Sequence, residues 1–240
     1  MHLAILMTNT DESVFAHRHP PDGQKFTNLI HLARPDWRTE VFVVKDGAFP
    51  EDVSRFDGVI ITGSPASVTC DAPWVARLLE LILAMHKSQM PMFGACFGHQ
   101  AIALALGGGI AANPDGWFHG LSVNNTVTRP EWMGDLPDFV RLYASHKEQV
   151  STLPDGAAVI SRTESCDVSG FAIGRHVFTT QQHPEMTKEF MTALTDELAG
   201  QLGAEQVALA HAAFDTPADT GLFATAIARF FEQAGDQIAG

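Results

Sequence analysis

Basic residues are scarce in this chain of 240 residues: 15 Lys and Arg stand against 28 Asp and Glu, a formal net charge of -13. A surface so acidic repels phosphate backbones, and no basic stripe offsets it, so no nucleic acid is expected as a partner. Cysteine is scarce as well. Cys70, Cys96 and Cys166 are too few for a disulfide framework, and no pair has the C-x-x-C spacing of zinc or redox sites. Such usage suits a reducing cytoplasm, the expected location. The opening residues Met1 to Met7 lack a basic n-region, and their apolar run is too short for a signal peptide. No apolar run reaches the roughly 20 residues that span a bilayer, so no membrane partner is expected. Internal repeats and low-complexity linkers are absent too.

What is present is a balanced globular composition, 45% hydrophobic and 18% charged, in a length that supports one well-buried core. Short apolar runs read as strands at 3–7, 41–44, 58–63 and 90–95. Residues 17–23, rich in Pro, His and Asp, read as an exposed loop. Trp74, Val75, Leu78, Leu79, Ile82 and Leu83 have helical spacing within 73–87, and a helix is expected over 97–106. The alternation predicts an α/β fold with a mostly parallel central sheet and helices on both faces. Further strands are expected near 138–144, 157–162, 169–173 and 176–181, and helices near 186–201 and 219–234. We read residues 1–240 as a single domain with a helical C-terminal tail from about 190.

Gly94-Ala95-Cys96-Phe97-Gly98-His99-Gln100 joins an apolar run to a helix-like segment. A nucleophile at such a turn is held in a strained backbone, exposed above the sheet edge, with glycines where a Cβ has little room. At a helix N-terminus the macrodipole favours thiolate, and free N–H groups can bind an oxyanion. The alternative is a small buried cysteine between two structural glycines. Gln182-His183-Pro184-Glu185 follows another strand. Pro184 pushes His183 toward extended backbone, where residues i and i+2 point the same way, so Glu185 is expected beside His183, fixing its tautomer. Otherwise Pro184 starts a helix, Glu185 complements its dipole and His183 is a loop histidine.

Two further segments support a site. Thr62-Gly63-Ser64-Pro65 ends a buried strand; the Gly63 and Phe97 N–H groups are a candidate oxyanion pair, unless this is an ordinary turn. Ser145-His146-Lys147-Glu148-Gln149-Val150 follows another apolar strand, and His146 is a lining residue, a second base or a capped loop residue. No metal is expected, because His99, His146 and His183 lack metal-ligand spacing.

Taken together, the elbow 94–100, the His183-Pro184-Glu185 run, the Ser145-His146…Val150 segment ending in Leu153-Pro154, and Ile60 to Pro65 resemble the class I, triad-type glutamine amidotransferases. The likeness covers roughly residues 1 to 190. It is nearest to the stand-alone group related to the amidotransferase domain of GMP synthetase, through Leu106-Gly107-Gly108 and Asn113 to Trp117 with Gly120. The resemblance implies a flavodoxin-like architecture and no cofactor. It implies Cys96 as nucleophile on the glutamine γ-amide, His183 as base and acid, and Glu185 as its orienter. Gly63 and Phe97 then form the oxyanion hole, and Gln100, Ser145 and His146 hold the glutamyl head. The chain has no pyrophosphatase-type loop and no G-x-x-x-x-G-K-[ST] loop, so it cannot activate an acceptor with ATP. Ammonia therefore goes to a separate synthetase subunit. The alternatives are a γ-glutamyl peptidase acting on γ-glutamyl peptides or glutathione conjugates, and a catalytically silent binding protein.

Overall fold

The structure, a computed structural model, describes residues 1–235. The chain runs β1 (His2–Met7), α1 (Asp22–Ala33), β2 (Arg38–Val43), β3 (Gly58–Ile61), α2 (Pro73–Lys87), β4 (Met92–Ala95), α3 (Phe97–Ala105), β5 (Gly109–Ala112) and β6 (Phe118–Thr126). It continues through β7 (Phe139–His146), β8 (Glu148–Thr152), β9 (Ala157–Arg162), β10 (Gly170–Ile173) and β11 (Val177–Thr180). Four helices follow: α4 (Lys188–Glu197), α5 (Ala199–Leu202), α6 (Ala204–Ala213) and α7 (Thr220–Gly235). No helix of the described residues is long and apolar enough to cross a membrane.

Nine strands form one sheet in the order β2-β1-β3-β4-β11-β10-β9-β6-β7. The first five are mutually parallel, and the rest continue antiparallel. Strands β3, β4 and β11 are buried at every position, because parallel strands are covered on both faces. Alternate residues therefore feed two cores. Leu3, Ile5, Ile60, Phe93 and Phe178 meet Phe26 and Ile30 of α1 and Phe223, Ile227, Phe230 and Phe231 of α7. On the other face, Ala4, Leu6, Val59, Ile61 and Met92 meet Val75, Leu78 and Ile82 of α2 and Ile102 of α3.

The expected strands and helices are present, with ends shifted by a few residues. The loop read at 17–23 differs: Asp22 and Gly23 already belong to α1 and are buried. Phe26, Leu29 and Ile30 give that helix its apolar stripe, and Pro21 precedes its first turn. Strand β6, helix α6 and the small β5–β8 ribbon have no counterpart in the sequence reading. The helix α7 carries eight buried residues, and Phe230, Phe231 and Ile227 are 0% exposed.

Candidate active site

Three of the segments singled out in the sequence lie at the C-terminal ends of β3, β4 and β11, three adjacent parallel strands. Open parallel sheets collect their ligand-binding residues at that edge. Cys96, between β4 and α3, has φ 49° and ψ −104°. A non-glycine residue is strained in such a conformation, which persists only when its surroundings enforce it. Here the Cys96 N–H donates to the Thr180 carbonyl at 2.9 Å, and the Gly98 N–H donates to the Thr62 carbonyl at 3.1 Å. A Cβ on Gly98 would run into the Ile61 carbonyl, so the elbow approaches β3 too closely for any other residue.

His183 arrives from β11. Its N–H donates to the Tyr143 carbonyl at 2.7 Å, and Nδ1 lies 2.8 Å from Glu185 Oε1. The route differs from the sequence expectation. His183 and Glu185 do not lie along an extended strand; the chain folds back in a turn closed by the Met186 N–H on the His183 carbonyl at 3.3 Å. Pro184 at the second position of the turn supplies the φ that a turn requires. Both side chains are buried, His183 at 6% exposure and Glu185 at 5%.

Burial alone would lower the His183 pKa. The Glu185 charge, the Cys96 sulfur and hydrogen bonds to both outweigh it, holding His183 well above its ordinary range. The imidazole thus lies between the Cys96 sulfur and the Glu185 carboxylate. Gly63 makes this packing possible: a Cβ there would meet His183 Cε1 at 2.6 Å and Cys96 Cβ at 3.6 Å. The backbone N–H groups of Gly63 and Phe97, both residues buried, make no hydrogen bond among the described residues. Buried unpaired N–H donors are rare and need a partner.

The other candidates fall around this centre. Gln100 is buried, and its Nε2 donates to the Glu148 carbonyl at 2.8 Å and to Gln181 Oε1 at 3.1 Å. His146 stacks on Phe118, bonds the Glu148 carbonyl through Nδ1, and is pushed down to about 4, chiefly by burial. It is a neutral ring. The Ser145 hydroxyl is occupied, accepting from Trp117 Nε1 at 3.1 Å and meeting His119 Nδ1 at 3.0 Å. Its backbone is another matter. Tyr143 turns its carbonyl away from β6 toward His183, and antiparallel pairing gives Ser145, two residues on, the same outward orientation. His99 points inward to Thr179 Oγ1 and is pushed down to about 3 by burial. Among the described residues no three His, Cys, Asp or Glu side chains gather as metal ligands.

Three neighbours carry no sequence signal. His119 comes from β6 and is pushed down to about 4, first by burial and then by the His183 charge. Tyr143 anchors the His183 backbone. Gln181 places Nε2 3.6 Å from Cys96 Sγ. It stands next to the Gln182-His183-Pro184-Glu185 motif, yet nothing in its spacing tells which way its side chain turns.

The glutamine amidotransferase class-I family matches residues 23–196. The chain is 33% identical to γ-glutamyl peptidase 3 of Arabidopsis thaliana over 70% of each chain. It is 30% identical to a putative glutamine amidotransferase-like protein of Schizosaccharomyces pombe over 95% of this chain and 98% of that one. It is 28% identical to one subunit of the glutamine-hydrolysing GMP synthase of Halobacterium salinarum, over 68% of this chain and 84% of that one. A glutamine amidotransferase structure from Thermotoga maritima superposes with a TM-score of 0.76 over 96% of this chain and 98% of that one, at 18% identity. Fold, family match and relatives agree, and the chain belongs to the class I glutamine amidotransferase family.

Proposed function

We propose that this protein hydrolyses the γ-amide of glutamine through a γ-glutamyl thioester on Cys96. The observation that carries the reading is the strained Cys96, packed with His183 against Gly63, with the Glu185 carboxylate on the ring and two unpaired backbone N–H groups alongside. The Cys96 thiol passes its proton to His183, the sulfur attacks the γ-carbonyl carbon, and the carbonyl electron pair moves onto oxygen, which the Gly63 and Phe97 N–H groups receive. As the C–N bond breaks, His183 gives its proton to nitrogen and ammonia leaves. Water, losing a proton to His183, then attacks the thioester and releases glutamate with the thiol restored. Glu185 holds the ring through Nδ1 and leaves Nε2 toward the sulfur.

The glutamyl head is held by the outward Ser145–His146 backbone and by Gln100. Both Nε2 hydrogens of Gln100 are taken up inside the protein, so it meets substrate as an acceptor, through Oε1, which suits an α-ammonium group. Ammonia passes to a separate acceptor enzyme, a reading supported by the likeness to one subunit of a glutamine-hydrolysing GMP synthase.

A second reading, γ-glutamyl peptidase activity, is favoured by the likeness to the Arabidopsis peptidase, which spans an equal share of both chains. Both reactions share the acyl half and differ in the group expelled. The test is kcat/KM for glutamine against kcat/KM for glutathione, with the Cys96→Ala protein as blank. The proposal expects a ratio above one and no turnover by Cys96→Ala. A ratio well below one, with peptide turnover lost in Cys96→Ala, replaces glutamine by the peptide. Equal turnover by Cys96→Ala on both substrates rejects cysteine catalysis altogether.

A further inference from the structure

The oxygen of a glutamine side chain has nearly the same shape as its nitrogen, so the orientation of the amide must follow from its partners. Here a chain of three groups settles it. The Glu148 backbone carbonyl only accepts, so the Gln100 atom 2.8 Å from it is Nε2. That same Nε2 lies 3.1 Å from the Gln181 amide and has one hydrogen left to give, so the Gln181 atom there is Oε1. The remaining end of Gln181 is therefore Nε2, and it faces Cys96 Sγ at 3.6 Å, within hydrogen-bonding range for the larger sulfur atom. Gln181 is 0% exposed, and its backbone N–H donates to the Ser169 carbonyl at 2.8 Å, which fixes the main chain from which the amide extends.

We infer that Gln181 is a further catalytic residue: oriented by Gln100 and the Glu148 carbonyl, it donates a hydrogen bond to the Cys96 sulfur and stabilises its thiolate. The inference rests on Cys96 being the nucleophile. A donor aimed at the charged form of a group favours that form, and the benefit is larger where water is excluded. Cys96 is 5% exposed, so few waters compete for its sulfur. His183 and the helix N-terminus act on the same thiolate from other sides. Gln181 alone receives its orientation from a backbone carbonyl that no change of pH can reverse. The hydrogen bond also fixes the Sγ position, so the attacking lone pair stays aimed at the space beside the Gly63 and Phe97 N–H groups.

The test reads Cys96 directly, with no substrate. Iodoacetamide alkylation is followed by peptide-resolved mass spectrometry across pH in wild type, Gln181→Met, Gln181→Glu and Gln100→Glu. Exposed Cys70 reports the reagent, and Cys166, buried and pushed up to about 11, must stay unlabelled in any folded variant. Gln181→Met keeps the volume and removes the donor. The inference expects Cys96 alkylation near neutral pH to fall about tenfold, and to regain the wild-type rate in strong alkali. The isosteric Gln181→Glu should fall at least as far, and it carries the test if the methionine variant labels Cys166. Gln100→Glu removes the donor that orients Gln181, so Cys96 slows although position 181 is untouched. Wild-type alkylation profiles in both Gln181 variants overturn the inference and give Gln181 a space-filling role. Because alkylation needs no γ-glutamyl substrate, this outcome is separate from a failure of the proposed reaction, which the Cys96→Ala blank detects.

Discussion

At the scale of single residues, the site depends on what is missing at position 63. The absent Cβ is the space that His183 occupies, 2.6 Å from where Cε1 lies. Gly63→Ala must displace either the imidazole or the β3 end that carries the candidate oxyanion donor. Displacements of about 1 Å at a reacting group cost about a hundredfold in rate. We therefore expect kcat of Gly63→Ala to fall by about that factor while far-UV circular dichroism stays native; near-wild-type kcat would contradict the packing. Glu185 is the complementary case. Replacing it with Gln keeps the volume but removes the charge that holds His183 protonated. A fall in kcat of at least about a hundredfold is expected, as for other carboxylates that orient a catalytic imidazole. Steady-state kinetics on glutamine or glutathione, whichever the enzyme prefers, checks it.

At the scale of elements, the elbow and the last helix have different tasks. The β4–α3 elbow holds Cys96 at φ 49° because its N–H is tied to β11 and its next turn to β3. Neighbouring strands thus enforce the strain that the local sequence only permits. The helix α7 supplies Phe223, Ile227, Phe230 and Phe231 to the core beneath β4 and β11. It lies after the segment matched to the family, yet it closes one face of the sheet that carries the site. Truncating Phe230, whose ring packs against Trp132 and Phe178, leaves a cavity in rigid surroundings. Phe230→Ala should lose about 3–5 kcal/mol in urea unfolding. A loss under about 1 kcal/mol would mean that α7 is dispensable to the core.

At the scale of the molecule, neutral histidines are built into the interior. His99 is held at about 3, and His119 and His146 at about 4, in each case chiefly by burial, against an ordinary 6.5. Below 6.5 the unfolded chain takes up protons that the native rings refuse. Their contribution is therefore complete above about 6.5 and is lost as pH falls toward about 4. His183 has the opposite sign: its raised value contributes fully below 6.5 and is lost as pH rises through that raised value. Acid should thus cost on the order of a few kcal/mol between neutrality and pH about 5, before most carboxylates titrate. Urea midpoints at those two pH values measure it. Equal midpoints would show the three rings to be solvated.

Chemistry was legible where it is local. Cys96 between two glycines, His183 and Glu185 around Pro184, and Gly63 at a strand end each advertise themselves, because elbows and turns need particular residues at fixed spacing. The buried parallel strands were equally plain, since burial on both faces demands continuous apolar runs. Strand β6 was silent, because its buried positions include His119, Ser122 and Asn124, polar residues that break the apolar pattern of a buried strand. Helix α6 carries little apolar asymmetry and covers β6 through contacts that no period announces. Tertiary structure alone decided that segments 85 residues apart would meet, that Gln181 would turn toward Cys96, and that α7 would be core. Spacing along a chain encodes local geometry, whereas distance between segments is set by how sheet order and packing bring strand ends together.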